Sequence, residues 1–127
     1  MRYPRHLGGM ADILNLLGRV LIAGLFLGGA WQKLNAPAPV QAMLSSVGLP
    51  GGLVWALAAF NAAAGVMLVT GPHVQVWALV LAVYCMVTSW FHLIPTDPWQ
   101  MTIFVKNWAI AGGLLVLAAQ GPGRFAY

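Results

Sequence analysis

Apolar residues run along the chain in four long blocks, Ile13 to Trp31, Leu53 to Thr70, Val74 to Ile94 and Thr102 to Ala119, with few polar interruptions. Each block is long enough for a helix to cross a hydrocarbon core of about 30 Å, which takes roughly 20 residues. The residues between the blocks end helices. Pro37, Pro39, Pro50 and Gly51-Gly52 fill the first connection, Gly71-Pro72 the second, and Pro95 and Pro98 the third. Gly121-Pro122-Gly123 closes the last block, where glycine suits a C-terminal cap and proline cannot continue the ladder. The pattern predicts an all-α fold, an integral membrane bundle of four transmembrane helices forming a single domain over residues 1–127.

The first connection, Asn35 to Gly52, is longer than a hairpin needs. Within it Val40, Met43, Leu44 and Val47 recur at helical spacing, which predicts a short interfacial helix between spans one and two. Such a helix either shields the ends of the bundle from water or covers a lateral opening. The first role is the simpler expectation.

Composition agrees with the pattern. The chain is 61% hydrophobic and only 6% charged, with a mean hydropathy of +0.82, whereas soluble domains carry about 25% charged residues. The formal charge of +4 does not point to nucleic acid, because the cations stand singly and form no basic run. Arg2, Arg5 and Ala36-Pro37-Ala38 give the first span some features of a cleaved leader, but Arg19 interrupts its apolar core, so the span is read as retained. Arg2, Arg5 and Arg124 share one side of a four-span topology, which places both termini in the cytoplasm. Trp31, Trp55, Trp90 and Trp99 then fall at the outer rim, where indoles favour the interface, and Trp77 at the inner one.

Within this apolar frame Arg19 is the expensive residue, since a guanidinium inside lipid needs a polar partner, a water cavity or a function. Helix rise puts Arg19 about 9 Å from the inner edge and Asn61 about 12 Å from the outer edge, a height difference of about 6 Å. Asn61 is the first candidate partner, and an amide there would leave the site positively charged. The remaining ligand for Arg19 would be an anionic headgroup, a partner's carboxylate or a polar cofactor end. The alternative is snorkelling to the inner interface.

At the outer rim the topology gathers Gln32, Lys33, His92, Asp97, Lys106 and Asn107 at one level. Lys33, His92 and Lys106 are candidate contacts for a quinone carbonyl or a polar headgroup. The plainer alternative is an Asp97–Lys106 ion pair with His92 bonded to backbone. Other chemistries are disfavoured by spacing. His73 and His92 lie about 28 Å apart along one helix and cannot share a haem. Cys85 is the single cysteine, and no His, Cys and carboxylate cluster has metal-ligand spacing. Neither a catalytic residue nor a metal site is expected, and no intrinsic cofactor, only a quinone or lipid bound at the surface. Small-residue faces at Gly24 and Gly28, at Ala58, Ala62 and Gly65, and at Ala109 and Gly113 would serve close packing inside the bundle, with any face left over docking a partner.

Several ordered motifs resemble the DoxX family of small four-helix bacterial membrane proteins. They are Gly18-Arg19, Gly29 through Lys33-Leu34, Gly48-Leu49-Pro50, Gly71, Phe91-His92, Phe104-Val105-Lys106-Asn107 and Gly112-Gly113-Leu114. The resemblance runs from about Leu17 to Arg124 and implies a multi-pass protein of the bacterial inner membrane. It also implies association with quinone-linked redox systems, including thiosulfate:quinone oxidoreductase, and with complexes in which such chains anchor other subunits. The family often has Glu in the second helix where this chain has Asn61, which argues against proton or ion chemistry there. Three functions follow as expectations. The first is a non-catalytic accessory subunit of a larger inner-membrane redox, respiratory or photosynthetic complex, with the bilayer and other membrane subunits as partners and Arg19, Asn61, Asn107, Gly24 and Gly28 as contacts. The second is a quinone-handling subunit using Lys33, His92 and Lys106. The third is a small-solute carrier, for which broken helices and inverted repeats are missing.

Overall fold

The computed structural model describes residues 8–70 and 73–121. The Gly71-Pro72 break, the Pro122-Gly123 stop and the orienting residues Arg2, Arg5 and Arg124 lie outside the described residues. The elements are α1 (Gly8–Asn35), α2 (Ala38–Ser46), α3 (Leu53–Thr70), α4 (Val74–Ser89), a single 3-10 turn (Trp90–His92) and α5 (Pro98–Gln120). No strand occurs among the described residues. Four stretches, Gly9–Asn35, Leu53–Thr70, Val74–His92 and Pro98–Gln120, are long and apolar enough to cross a membrane.

The second span falls where its apolar block predicts, and the others differ at their ends. α1 extends beyond Ile13 and Trp31 at both ends, because helix continues through the polar residues that flank an apolar block. The third span is α-helical only to Ser89, so His92 sits on a tighter 3-10 turn instead of closing the helix. α5 begins four residues before Thr102. Asp97 accepts the backbone N–H groups of Trp99 (3.0 Å) and Gln100 (3.3 Å), and Pro98 takes the first helical position, where its missing N–H costs nothing.

α2 forms where the spacing of Val40, Met43 and Leu44 predicts it, with Leu44 buried, but it stops before Val47. Gly48 adopts φ +80°, and Gly48 and Leu49 donate back to the carbonyls of Ser45 and Leu44, the paired bonds of a Schellman stop. We call the end of the bundle carrying α2 the outer end.

Two tightly packed pairs make up the bundle, α1 on α3 and α4 on α5, and the pairs meet each other much more sparsely. Without a hydrophobic drive between helices in lipid, close approach of small residues has to hold each pair. Ala23, Ala64, Ala78, Ala82 and Ala111 supply it, with Phe26, Leu68, Leu81 and Leu114 filling the space between. Gly65 is the tightest point, since a Cβ there would lie 2.7 Å from Leu27 Cγ and 3.2 Å from the Ala23 carbonyl. This core occupies the middle and inner parts of the bundle. The outer part is hollow.

Candidate functional site

A cavity of about 460 Å³ opens in the outer half, between the two helix pairs and beneath α2. Its polar lining is Gln32 and Lys33 from α1, Asn61 from α3, Tyr84 and Thr88 from α4, His92 from the 3-10 turn, and Lys106 and Asn107 from α5. Residues far apart in sequence are thus brought to one space, including all three candidate ligand contacts, Lys33, His92 and Lys106. Val40, Met43 and Leu44 of α2 line it too, so this helix forms part of the cavity wall.

Each polar group has a definite setting. Lys33 Nζ lies 3.7 Å from the place a Cβ would take on Gly29, so the side chain lies back along α1 toward the middle of the bundle. Helical Cα–Cβ bonds tilt toward the N-terminus, which at Lys33 means inward. The same tilt on the oppositely running α5 carries Lys106 outward, so the two lysines approach the cavity from opposite levels. His92 Nδ1 and Gln100 Oε1 are 2.6 Å apart. With the Gln100 oxygen turned to the ring, Nδ1 is the donor of this contact, and the tautomer that donates there keeps Nε2 as an acceptor. The expected bond from His92 to backbone is replaced by this contact. Asp97 is occupied in capping α5 and makes no ion pair with Lys106, which corrects the other part of that alternative.

Asn61 is 2% exposed, and its Oδ1 has no hydrogen-bond partner. The Asn61 side chain is hydrogen-bonded to Tyr84, and its carbonyl oxygen, which costs about 1–3 kcal/mol while it lacks a donor, can be satisfied by a water or a ligand in the cavity. Tyr84 beside it is fixed by aromatic contacts with Phe60 (5.1 Å) and Phe26 (6.4 Å). Gly24 and Gly28 line the same cavity, and a Cβ on either would meet nothing within 4 Å. Their small size keeps the space open instead of drawing another helix close, contrary to the internal packing expected of them.

Arg19 belongs to the other end. It is 1% exposed and does not donate to the Asn61 carbonyl. Nε donates to Asn15 Oδ1 (2.9 Å), and Nη1 donates to the carbonyls of Leu68 (3.0 Å) and Val69 (3.3 Å). The tilt of the Cα–Cβ bond explains the correction, because it sends the side chain inward, away from Asn61. The carbonyls it meets are among the last four of α3, which have no partner within the helix and carry the negative end of its dipole. Asn15 Nδ2 in turn donates to the Gly121 carbonyl (2.9 Å), and Gln75 Nε2 to that of Ala118 (2.8 Å). Side chains of α1 and α4 thereby cap the inner ends of α3 and α5.

Sequence reasoning overlooked Asn15, Tyr84 and Gln100. Asn15 was legible as the residue one turn before Arg19, and Gln100 as the third residue after the capping Asp97, a position that favours Gln. Tyr84 has no local signal.

The DoxX family model matches residues 14–94, which include Arg19, Lys33, Asn61, Tyr84 and His92. The chain belongs to the DoxX family. The inner membrane protein YqjF of Escherichia coli (strain K12) is 28% identical over 118 residues, covering 92% of this chain and 91% of that protein. No solved structure matches. With four long apolar helices, this DoxX protein is a multi-pass protein of the bacterial inner membrane.

Proposed function

We propose that the protein is a quinone-handling subunit of an inner-membrane redox assembly. The observation that carries this reading is the single cavity in which Lys33, His92 and Lys106 meet the unpartnered Asn61 carbonyl. Ammonium groups donate to quinone oxygens, and His92 Nε2 and the Asn61 carbonyl accept from quinol hydroxyls. The site thus holds the ring in either redox state. Apolar walls from Leu57, Phe26 and Ile103 suit a ring and the start of its tail, and the open side lets the molecule arrive from the bilayer. Electrons would come from a partner subunit, to which this chain supplies a place for the ligand. On the positive-inside expectation the cavity lies in the periplasmic half of the membrane.

Binding of decylubiquinone to the purified protein tests the reading. The His92→Ala, Lys106→Ala double variant should bind at least about tenfold more weakly, the worth of one or two lost hydrogen bonds. Asn61→Leu should weaken quinol binding while raising the stability of the ligand-free protein, because it removes the orphaned carbonyl. Unchanged affinity in both variants would remove the basis of the proposal.

A non-catalytic accessory role draws support from a different face. Gly112 and Gly113 of α5 are exposed, and a Cβ on either would meet nothing within 4 Å. A neighbouring helix could approach closely there. Purification in mild detergent with mass measurement tests it, and a lone monomer would count against it.

A further inference from the structure

We infer that the outer cavity takes an amphiphile whose head carries a negative charge on oxygen, as a carboxylate, a phosphate or an ionised ring hydroxyl. The inference rests on the reading that the cavity receives the head of an amphipathic molecule, and it adds the charge of that head.

The charge balance of the cavity is one-sided. Two lysines line it and no acidic side chain does. The chain has only two acids. Asp12 lies in the first turns of α1 at the opposite end, and Asp97 is spent on the N–H groups of Trp99 and Gln100. The partly buried Lys33 and the exposed Lys106 both stand at the wall of this one space, where each raises the other's cost and a neutral occupant compensates neither.

Lys33 makes the point geometrically. A lysine near the end of a membrane helix ordinarily extends its ammonium outward to water and headgroups. Here Nζ lies back over Gly29, one turn toward the middle of the membrane. An ammonium held in that position meets the head of whatever enters beneath α2, and an anionic oxygen is the partner that compensates it best. The remaining walls, with Leu57, Ile103 and the side-chain-free Gly24 and Gly28, suit an alkyl chain leaving toward the bilayer.

The test titrates the full-length protein, in an uncharged maltoside detergent, with four probes read by native mass spectrometry: dodecyl phosphate, dodecanol, decylubiquinone and inorganic phosphate. Dodecyl phosphate should bind one to one and about tenfold or more tightly than dodecanol, as a charge-assisted bond requires. Lys33→Gln and Lys106→Gln should each lose about tenfold for dodecyl phosphate, and Lys33→Arg should recover most of the loss. Gly28→Leu, which keeps both charges but occupies the space, should weaken both amphiphiles. Equal binding of dodecanol and dodecyl phosphate would overturn the inference, as would unchanged binding in both glutamine variants. Inorganic phosphate binding as tightly as dodecyl phosphate would overturn the amphiphile. Decylubiquinone binding without dodecyl phosphate would overturn this inference and leave the quinone reading standing, whereas failure of all four probes would overturn both.

Discussion

The two ends of the bundle handle the same problem in opposite ways. At the inner end Arg19, Asn15 and Gln75 turn polar side chains onto the terminal carbonyls of neighbouring helices, and the core beneath them is filled. At the outer end Lys33, His92, Lys106 and Asn61 face a cavity, and one buried acceptor has no donor at all. Polar groups in a membrane are kept for structure where they satisfy one another and for a ligand where they do not. Arg19 is the most buried cation among the described residues, and it belongs to the structural end. The less buried lysines line the cavity at the other end.

The most severe way to break this contrast is Arg19→Leu. It leaves Asn15 Oδ1 without its donor and uncaps two carbonyls of α3 inside the membrane. Loss of a buried, charge-assisted group of this kind should cost about 2–4 kcal/mol, read as a lowered melting temperature in detergent. Arg19→Lys should fall between, because an ammonium cannot fork between Asn15 and the α3 terminus as a guanidinium does. Ligand affinity per folded molecule should stay within about twofold, since the clasp lies outside the cavity. An Arg19→Leu protein melting like the wild type would show that the clasp contributes nothing.

A smaller effect separates two glycines that look alike in sequence. Gly65→Ala puts a methyl group 2.7 Å from Leu27 Cγ and 3.2 Å from the Ala23 carbonyl, and that backbone oxygen cannot move aside. Overpacking of the α1–α3 contact should cost about 1–2 kcal/mol. Gly28→Ala meets nothing within 4 Å and should be neutral or slightly stabilising, by up to about 1 kcal/mol from helix propensity alone. Thermal melts of the two variants side by side distinguish packing glycines from cavity glycines. Equal melting temperatures would erase the distinction.

These comparisons also locate what the chain discloses before it is folded. Hydropathy and the Gly and Pro punctuation were enough for four membrane helices and the interfacial α2, and the ordered motifs were enough for the family. Lys33, His92 and Lys106 could be grouped because a four-helix topology sets residues at heights, and heights follow from the helix rise. Heights alone do not say which way a side chain leans, so Arg19 was first matched to Asn61 although its Cα–Cβ bond points the other way. The cavity itself is an absence of packing between the two helix pairs, and nothing in a small-residue pattern separates Gly28, which keeps a space open, from Gly65, which closes one. Asp97-Pro98 did carry a readable signal, an N-cap followed by a proline at the first helical position, and it was passed over because Asp97 was weighed as a counter-ion for Lys106.

That last residue gives the smallest and most discriminating effect. Asp97→Ala removes the acceptor for Trp99 and Gln100 at the start of α5 and should cost about 1 kcal/mol, while Asp97→Asn, itself a good cap, should cost only a few tenths. If the carboxylate also served to neutralise Lys106, Asp97→Asn would uncover a positive charge and tighten dodecyl phosphate binding several-fold. With Asp97 acting as a cap alone, the asparagine variant should bind dodecyl phosphate within about twofold of the wild type at moderate salt, where charges beyond about 10 Å are screened. The alanine variant adds a second reading. The frayed start of α5 loosens Gln100 and with it His92, so binding should weaken through the ring that Gln100 orients, and Gln100→Leu should reproduce that loss with the cap intact. A Gln100→Leu protein that binds as well as the wild type would separate His92 from the ligand and confine the outer site to its lysines.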